Sequence, residues 1–392
     1  MSDTIPTRAE LVESAAKLAP LLRSRARWID ENRRLPDDIV TAIEESGLLK
    51  MQVPQQYGGY ESEFGDFVDV LAEIAKGNTS AAFCLSIYSS LTLMATLWPE
   101  AALDEVFATP NVRITGTTAA TGSARKVDGG WIVDGTWRFN SGVLHAHWKI
   151  TVAVTSGTDG EPEPIFALVP TADLEILDDW HTFALEGSGS VSTVAHEVFV
   201  PEHRVITAGD FYQNRPKSAA IAARPQFSVP VLISATVVQA GQLVGAARAA
   251  LVAFLERLPG RPITYTHYTA QSEAAVTHLQ VGEAALLIED VEARARRFAE
   301  IVDAKAAANA PWTEEERVWS RVQIGWIARQ SKRAVEILAE ASGGSSIYRD
   351  VPIGRLQRDL HATSLHAMIT PTVNIELYGR SLVGLPPNTV YL

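Results

Sequence analysis

With 392 residues, 46% of them hydrophobic and 20% charged, the chain has an ordinary globular composition and enough length for two or three packed lobes. Its formal net charge of −12 excludes non-specific attraction to nucleic acid or to an anionic membrane surface. Its one cysteine, Cys84, excludes an intrachain disulfide and a cysteine-rich metal site.

From Arg8 to about Thr109 the pattern is helical. Leu11, Ala15, Leu18, Leu22 and Ala26 recur every three or four residues, the period of one helix face. Pro36–Asp37–Asp38 opens a second helix, with acids at the positive end of its dipole, and Gly47 closes it. Ala81–Pro99 and Phe227–Ala247 carry no charge, but Ser, Thr or Gln interrupt both, so they read as helices buried in a bundle rather than membrane spans. Cys84 lies in the first of them and reads as a buried, inert thiol. The polar, acidic N terminus has no leader pattern and predicts a cytoplasmic protein.

Between Asn111 and about Asp210 the period changes. Gly129–Gly130 marks a hairpin, and Lys149–Val154, Ile165–Val169 and Val191–Val200 are short β-branched runs, so six to eight antiparallel strands are expected. From Gln226 onward helices return, over Gln226–Leu258, Ala270–Ala308, Thr313–Ala341 and roughly Thr363–Val383. Helices, a β insert and a four-helix bundle make an α+β chain of three lobes: residues 1–110, 111–224 and 225–392.

Common cofactor signatures are missing. There is no GxGxxG after a strand, no phosphate loop, no HExxH and no GxSxG, and His145 and His147 lack a third ligand, so no metal site is expected. Four ordered segments carry more. They are Gly47–Gly59 (GLLKMQVPQQYGG), Val133–Gly142 (VDGTWRFNSG) followed by Ala146 and Trp148, Val198–Pro201 (VFVP), and Pro352–Ile353 with Leu356, Arg358 and Asp359. In these segments and their spacing the chain resembles the acyl-CoA dehydrogenase superfamily over nearly its whole length.

The resemblance implies a flavin and places residues around it. Phe139 takes the aromatic position beside the isoalloxazine, and Ser141 the hydroxyl position facing N5 or O4. Thr117, Gly122 and Ser123 fall where backbone and hydroxyl groups of the family meet the flavin; read without the resemblance, they are turn residues between strands. The dehydrogenases of the family also need a carboxylate base over the substrate. One base position falls here on Ala367 and the other near Ala235, and no acid occurs between Asp210 and Glu256.

His366 stands beside the lost carboxylate. Ser-Gly after the flavin strand, and Arg-Asp followed by His, resemble the flavin-dependent, two-component monooxygenase branch of the superfamily. That likeness implies reduced flavin taken from a separate flavin reductase, reaction with O2 to a C4a-hydroperoxide, and transfer of one oxygen atom to a hydrophobic aromatic or heteroaromatic small molecule. It assigns Ser141 and His366 to catalysis, His366 because an imidazole near its ordinary pKa can supply or hold a proton at working pH. Tyr88 and His366 are the expected substrate contacts, with His361 a lesser alternative to His366. Asp359 is expected to pair with Arg358 or a helix end. Arg261 offers a phosphate contact, although Thr266 replaces a family glycine and Gly343–Gly344–Ser345–Ser346 departs from the family turn. That weakened ADP half favours FMN over FAD. The resemblance also implies a homotetramer. The competing readings are an acyl-CoA dehydrogenase-type flavoenzyme and a non-catalytic scaffold of the same fold.

Overall fold

The computed structural model describes residues 5–156 and 161–392, so the first four residues of the polar N terminus lie outside the described residues. Helix α1 (Arg8–Asn32) starts at a capping box in which Thr7 and Glu10 satisfy each other's backbone N–H groups. It buries Leu11, Ala15, Leu18, Leu22, Ala26 and Ile29, the row that the spacing predicts with one further turn. After α1 come α2 (Asp37–Glu45), α3 (Phe64–Gly77), α4 (Thr79–Ala95) and α5 (Glu100–Phe107). Every residue of α4 is buried. A helix with no polar stripe has no solvent face, and α4 runs between the lobes as their shared spine.

The β lobe comprises β1 (Ile114–Val127), β2 (Gly130–Trp137), β3 (Trp148–Ser156), β4 (Pro162–Pro170), β5 (Glu175–Ile176), β6 (Thr193–Pro201) and β7 (Val205–Thr207). They form one sheet in the order β5-β6-β2-β1-β3-β4-β7. The antiparallel expectation holds for every pairing among the described residues except one. Strands β1 and β3 are parallel, Ile114 opposite Trp148 and Ser123 opposite Val154. A parallel neighbour needs a crossover, and here β2 plus residues 138–147 supplies it. One face of the sheet, with Ile150, Val152, Phe166 and Leu168, joins the helical core; the other, with Val133, Trp137, Ala153 and Ile165, forms a second core of its own.

The short α6 (Ala208–Tyr212) and α7 (Ala219–Ala222) lead into α8 (Val231–Arg257), α9 (Ala275–Ala307), α10 (Glu314–Ala341), α11 (Pro352–Thr363) and α12 (Pro371–Leu382). Helix α8 is the one described helix long and apolar enough to cross a membrane, and 83% of its most apolar window is buried inside the protein. The expected last helix over Thr363–Val383 is wrong at its start. Pro371 has no N–H and cannot continue a helix from before it, but it suits the first turn of a new one. Residues 364–370 therefore form a turn between α11 and α12, and that turn holds His366.

Candidate active site

Two residues with left-handed backbone shape the crossing from β2 to β3. Phe139 has φ +63° and Gly142 φ +74°. A phenylalanine held there costs about 1–3 kcal/mol, so its neighbours must over-determine it. They do so from residues 177–192. The Val191 carbonyl accepts from Asn140 N at 3.2 Å and Asn140 Nδ2 at 2.9 Å, and the Ser188 carbonyl accepts from Gly142 N at 2.8 Å. Ser141 Oγ lies 2.7 Å from Ser190 Oγ, itself 2.7 Å from Ser188 Oγ, which donates to the Leu185 carbonyl at 2.7 Å. The outcome is one large ring presented outward. Phe139 is 63% exposed and meets Trp180 edge-on at 6.1 Å.

Helix α4 supports this turn and the His366 turn together. Its Thr79 hydroxyl bonds the Asp359 carboxylate, and its Phe83 ring stands edge-on to His366 at 6.1 Å. Cys84 Sγ approaches the Ser188 carbonyl at 3.6 Å, and Tyr88 Oη donates to the Gly142 carbonyl at 2.7 Å. Burial pushes the Cys84 thiol up to about 12, the inert thiol the sequence predicts. A Cβ at residue 142 would come 2.5 Å from Tyr88 Oη, so this turn requires glycine twice over, for its φ and for the tyrosine. Tyr88 corrects the sequence reading. Its hydroxyl is spent on Gly142 and the residue is buried, which makes it a brace for the Ser141 turn rather than a free polar group facing a substrate.

Asp359 does not bond Arg358, which instead donates to the Phe183 carbonyl. Its carboxylate takes the hydroxyl of Thr79, the first residue of α4, and Leu185 N–H at 2.7 Å. Burial raises its pKa, and those two hydrogen bonds oppose the rise. Asp359 thus ties α11 to the segment that carries Ser188 and Ser190.

His366 is half-buried. Met368 N donates to its Nδ1 at 3.3 Å, which leaves the neutral ring's hydrogen on Nε2. Desolvation, then the charge of Arg321, lowers its pKa to about 4. The expectation of an imidazole titrating near neutral pH therefore fails; His366 is neutral at pH 7 and offers an Nε2–H donor. His361 is exposed near the end of α11.

The residues expected along the flavin strand divide. Thr117 and Ser123 lie on β1, either side of a register shift that leaves Ala119, Ala120 and Thr121 exposed. Ser123 is itself exposed, and Thr117 Oγ accepts from Ala119 N at 3.3 Å. Gly122 has a packing reason: its Cβ would lie 2.2 Å from the buried Trp137 indole. The C-terminal residues return to this strand, Tyr391 Oη donating to the Thr118 carbonyl at 3.1 Å.

Arg261 is elsewhere. Its Nη2 donates to the Ser342 carbonyl at 2.7 Å and to Ser345 Oγ at 3.2 Å, and Arg257 Nη2 reaches the same Ser345 Oγ at 3.1 Å. Nη1 of both arginines is buried without a partner among the described residues. Burial and the charge of Arg257 lower the pKa of Arg261. Two crowded guanidiniums with orphaned donors fit a phosphate. Arg257 thus joins Arg261, the expected phosphate contact, as a second guanidinium on the same serine. A groove of about 460 Å³ between α9 and α10, lined by Arg294, Arg297, Trp319 and Trp326, shares no residue with either cluster.

An exposed aromatic ring on a strained turn, hydroxyls along an exposed strand and a pair of crowded guanidiniums are groups that can meet a ring system, its polar edge and a phosphate. Comparison with known proteins agrees. Residues 8–99 match the model of the acyl-CoA dehydrogenase N-terminal domain and residues 237–371 that of the C-terminal domain. An FADH(2)-dependent resorcinol hydroxylase, oxygenase component, from Rhizobium sp. is 30% identical over 97% of this chain and 96% of its own length. The flavin-dependent monooxygenase oxygenase subunit HsaA from Mycobacterium tuberculosis is 29% identical over 94% of both chains. The structure of XiaF from Streptomyces sp. in complex with FADH2 and glycerol superposes with a TM-score of 0.92, at 32% identity over 97% of both chains.

The chain belongs to the acyl-CoA dehydrogenase superfamily, in its flavin-dependent monooxygenase branch. It is an oxidoreductase that works with reduced flavin. Of the two positions where the resemblance expects a base, one falls near Ala235 on the buried run of α8 and the other on Ala367 beside His366, and neither residue is an acid. In this monooxygenase Glu376 lies on α12, where Asn388 bonds it at the surface. The sequence reading passed over Ser188, Ser190, Trp180 and Arg257. The alternation Gly187–Ser188–Gly189–Ser190 was a usable signal, since it holds two hydroxyls two residues apart between residues too small to crowd them.

Proposed function

We propose that this monooxygenase inserts one oxygen atom from O2 into a hydrophobic phenolic or heteroaromatic small molecule, using reduced FMN or FAD delivered by a separate flavin reductase. The observation that carries the reading is that neither position where a dehydrogenase base is expected, near Ala235 or at Ala367, holds a carboxylate. A neutral imidazole with its hydrogen on Nε2 stands beside Ala367, where α-proton abstraction from a thioester would need a carboxylate.

The bound reduced flavin would supply activation of O2 and delivery of the oxygen atom. The chain's own residues bind, orient and exclude water. Phe139 would cover the ring system, Ser141 would meet its N5 edge, and Thr117 and Ser123 would bond its polar rim. His366 Nε2–H would donate to a substrate oxygen, and Phe83 packs edge-on against its ring at 6.1 Å and fixes its orientation. Arg257 and Arg261 take phosphate, which gives FAD a contact that FMN can make only with its single phosphate.

Those arginines sit on the C-terminal bundle, bonded to the 342–345 turn. A homotetramer of the kind the superfamily builds would let one subunit complete the flavin site of the next, and exposed Leu279 and Leu286 on α9 support such packing. The acidic chain fits a cytoplasmic location. The resorcinol hydroxylase relative makes resorcinol a reasonable first substrate probe. With anaerobically reduced flavin, resorcinol and ¹⁸O₂, the product should carry one labelled oxygen by mass spectrometry. Rapid bleaching of bound FAD by an acyl-CoA, with no labelled product from any phenol, would instead establish the dehydrogenase reading.

A further inference from the structure

Three short oxygen–oxygen contacts run inward from the Ser141 turn. Ser141 Oγ to Ser190 Oγ, Ser190 Oγ to Ser188 Oγ, and Ser188 Oγ to the Leu185 carbonyl are each 2.7 Å. At that separation a hydrogen must lie on each line, because two bare lone pairs would repel. Three hydroxyls own three hydrogens, and the carbonyl owns none. Only one arrangement serves all three contacts. Ser188 donates to Leu185, Ser190 to Ser188, and Ser141 to Ser190. Ser141 is left with lone pairs and no hydrogen to offer elsewhere.

The chain of hydroxyls cannot easily turn round. All three serines are buried, and each end of their segment is tied to another element. Asp359 holds Leu185 N–H at 2.7 Å, and the Ser188 carbonyl holds Gly142 N–H at 2.8 Å. Freeing the Ser141 hydrogen would require Ser190 to reverse, then Ser188, leaving the Leu185 contact with no hydrogen on its line.

We propose that Ser188 and Ser190 make Ser141 an obligate hydrogen-bond acceptor toward flavin N5 and thereby select reduced flavin over oxidised flavin. The inference rests on the reading above that Ser141 meets N5. Reduced flavin carries a hydrogen on N5 and can donate it to Ser141. Oxidised flavin carries a lone pair at N5, which would face the lone pairs of Ser141. An oxygenase that collects reduced flavin from solution needs this discrimination, because oxidised flavin would otherwise occupy the site after each turnover.

The test is the affinity of the full chain for both redox forms, by fluorescence titration for oxidised flavin and anaerobic titration for reduced flavin, together with the midpoint potential of the bound flavin. Wild-type protein should bind the reduced form at least about tenfold more tightly, which raises the two-electron potential by about 30 mV. Ser190→Ala removes the acceptor of the Ser141 hydrogen, and Ser188→Ala frees Ser190 to point the other way. Each should tighten oxidised flavin by about tenfold, lower the potential by about 30 mV and leave reduced flavin within about threefold. Ser190→Thr keeps the hydroxyl and should keep the wild-type ratio. If both alanine variants keep that ratio while Ser141→Ala changes either affinity, the directional inference is overturned and Ser141 stands as the N5 partner. If Ser141→Ala changes neither affinity, the N5 reading itself falls.

Discussion

The two ends of the proposed flavin site solve opposite problems. At the ring end, every hydroxyl from Ser141 to Ser188 already has a partner within the chain, and the turn they brace is held against its own backbone preference. At the phosphate end, Arg257 and Arg261 share one serine hydroxyl and leave a buried N–H group each without an acceptor among the described residues. A group that must orient a reacting edge gains from being fixed beforehand, since any reorganisation adds to the barrier. A group that only anchors a dianion can wait, because the anion both supplies the missing acceptor and relieves the repulsion between the cations. Order without ligand marks the chemistry; unsatisfied charge marks the tether.

That contrast is tested most severely at His366, which belongs to the ring end and should affect chemistry alone. His366→Ala should slow oxygen transfer, or divert it to hydrogen peroxide, by about 10²–10⁴ in rate, while flavin affinity stays within a few-fold. Stopped-flow turnover, product coupling and a flavin titration on the same preparation read all three. A variant that loses flavin in proportion to rate would move His366 into the anchoring class and break the division.

The arginines should behave in the reverse sense. Removing Arg257 and Arg261 together should weaken FAD by about 10–100-fold, as expected for lost charge-assisted hydrogen bonds, with little change in oxygen transfer once flavin saturates. Comparing FAD with FMN sharpens the point. A loss confined to FAD assigns the pair to the second phosphate, whereas equal losses assign it to the phosphate common to both.

The order of lobes was legible because each has its own period, and the row from Leu11 to Ala26 on α1 shows how closely. The turn that carries Phe139 and Ser141 stood out through a contiguous segment that keeps the superfamily's residue types. Three features were not. The parallel β1–β3 pair depends on a crossover that strand patterns do not encode. The break at residues 364–370 hides in an apolar run until Pro371 is given its full weight. The downshift of His366 comes from burial and from Arg321, 45 positions earlier in sequence, and no local pattern reports either. Ser188 and Ser190 read as loop filler because their meaning lies in what they touch.

Lys149 is the case that limits the rule. Like the arginines it is a buried basic group, yet it lies in the second core of the sheet, 4.0 Å over the Trp137 ring, with Thr151 Oγ at 3.1 Å as its hydrogen-bond acceptor. No carboxylate pairs with it among the described residues, and its exposure is 0%. Desolvation lowers its pKa well below the usual lysine value of 10.5. If unsatisfied cations always signalled a waiting anion, Lys149 would mark a ligand site; instead it should be a plain cost to stability. The unfolded chain binds a proton at this lysine up to pH 10.5, whereas the folded chain releases it at lower pH. Folding therefore expels a proton between those two values, and its free energy improves as pH rises toward 10.5. Lys149→Met fills the same space without the amine and should stabilise the protein at pH 7 by about 1 kcal/mol, the low end for a buried polar group because Thr151 already takes one hydrogen bond. The advantage over wild type should shrink between pH 7 and pH 10. Thermal midpoints of the two proteins across that range measure it. A gain that does not narrow with pH would mean that Lys149 acts through packing alone. A loss at pH 7 would mean that the amine serves a partner at this position, and unpartnered buried cations would then mark binding in the β lobe as well.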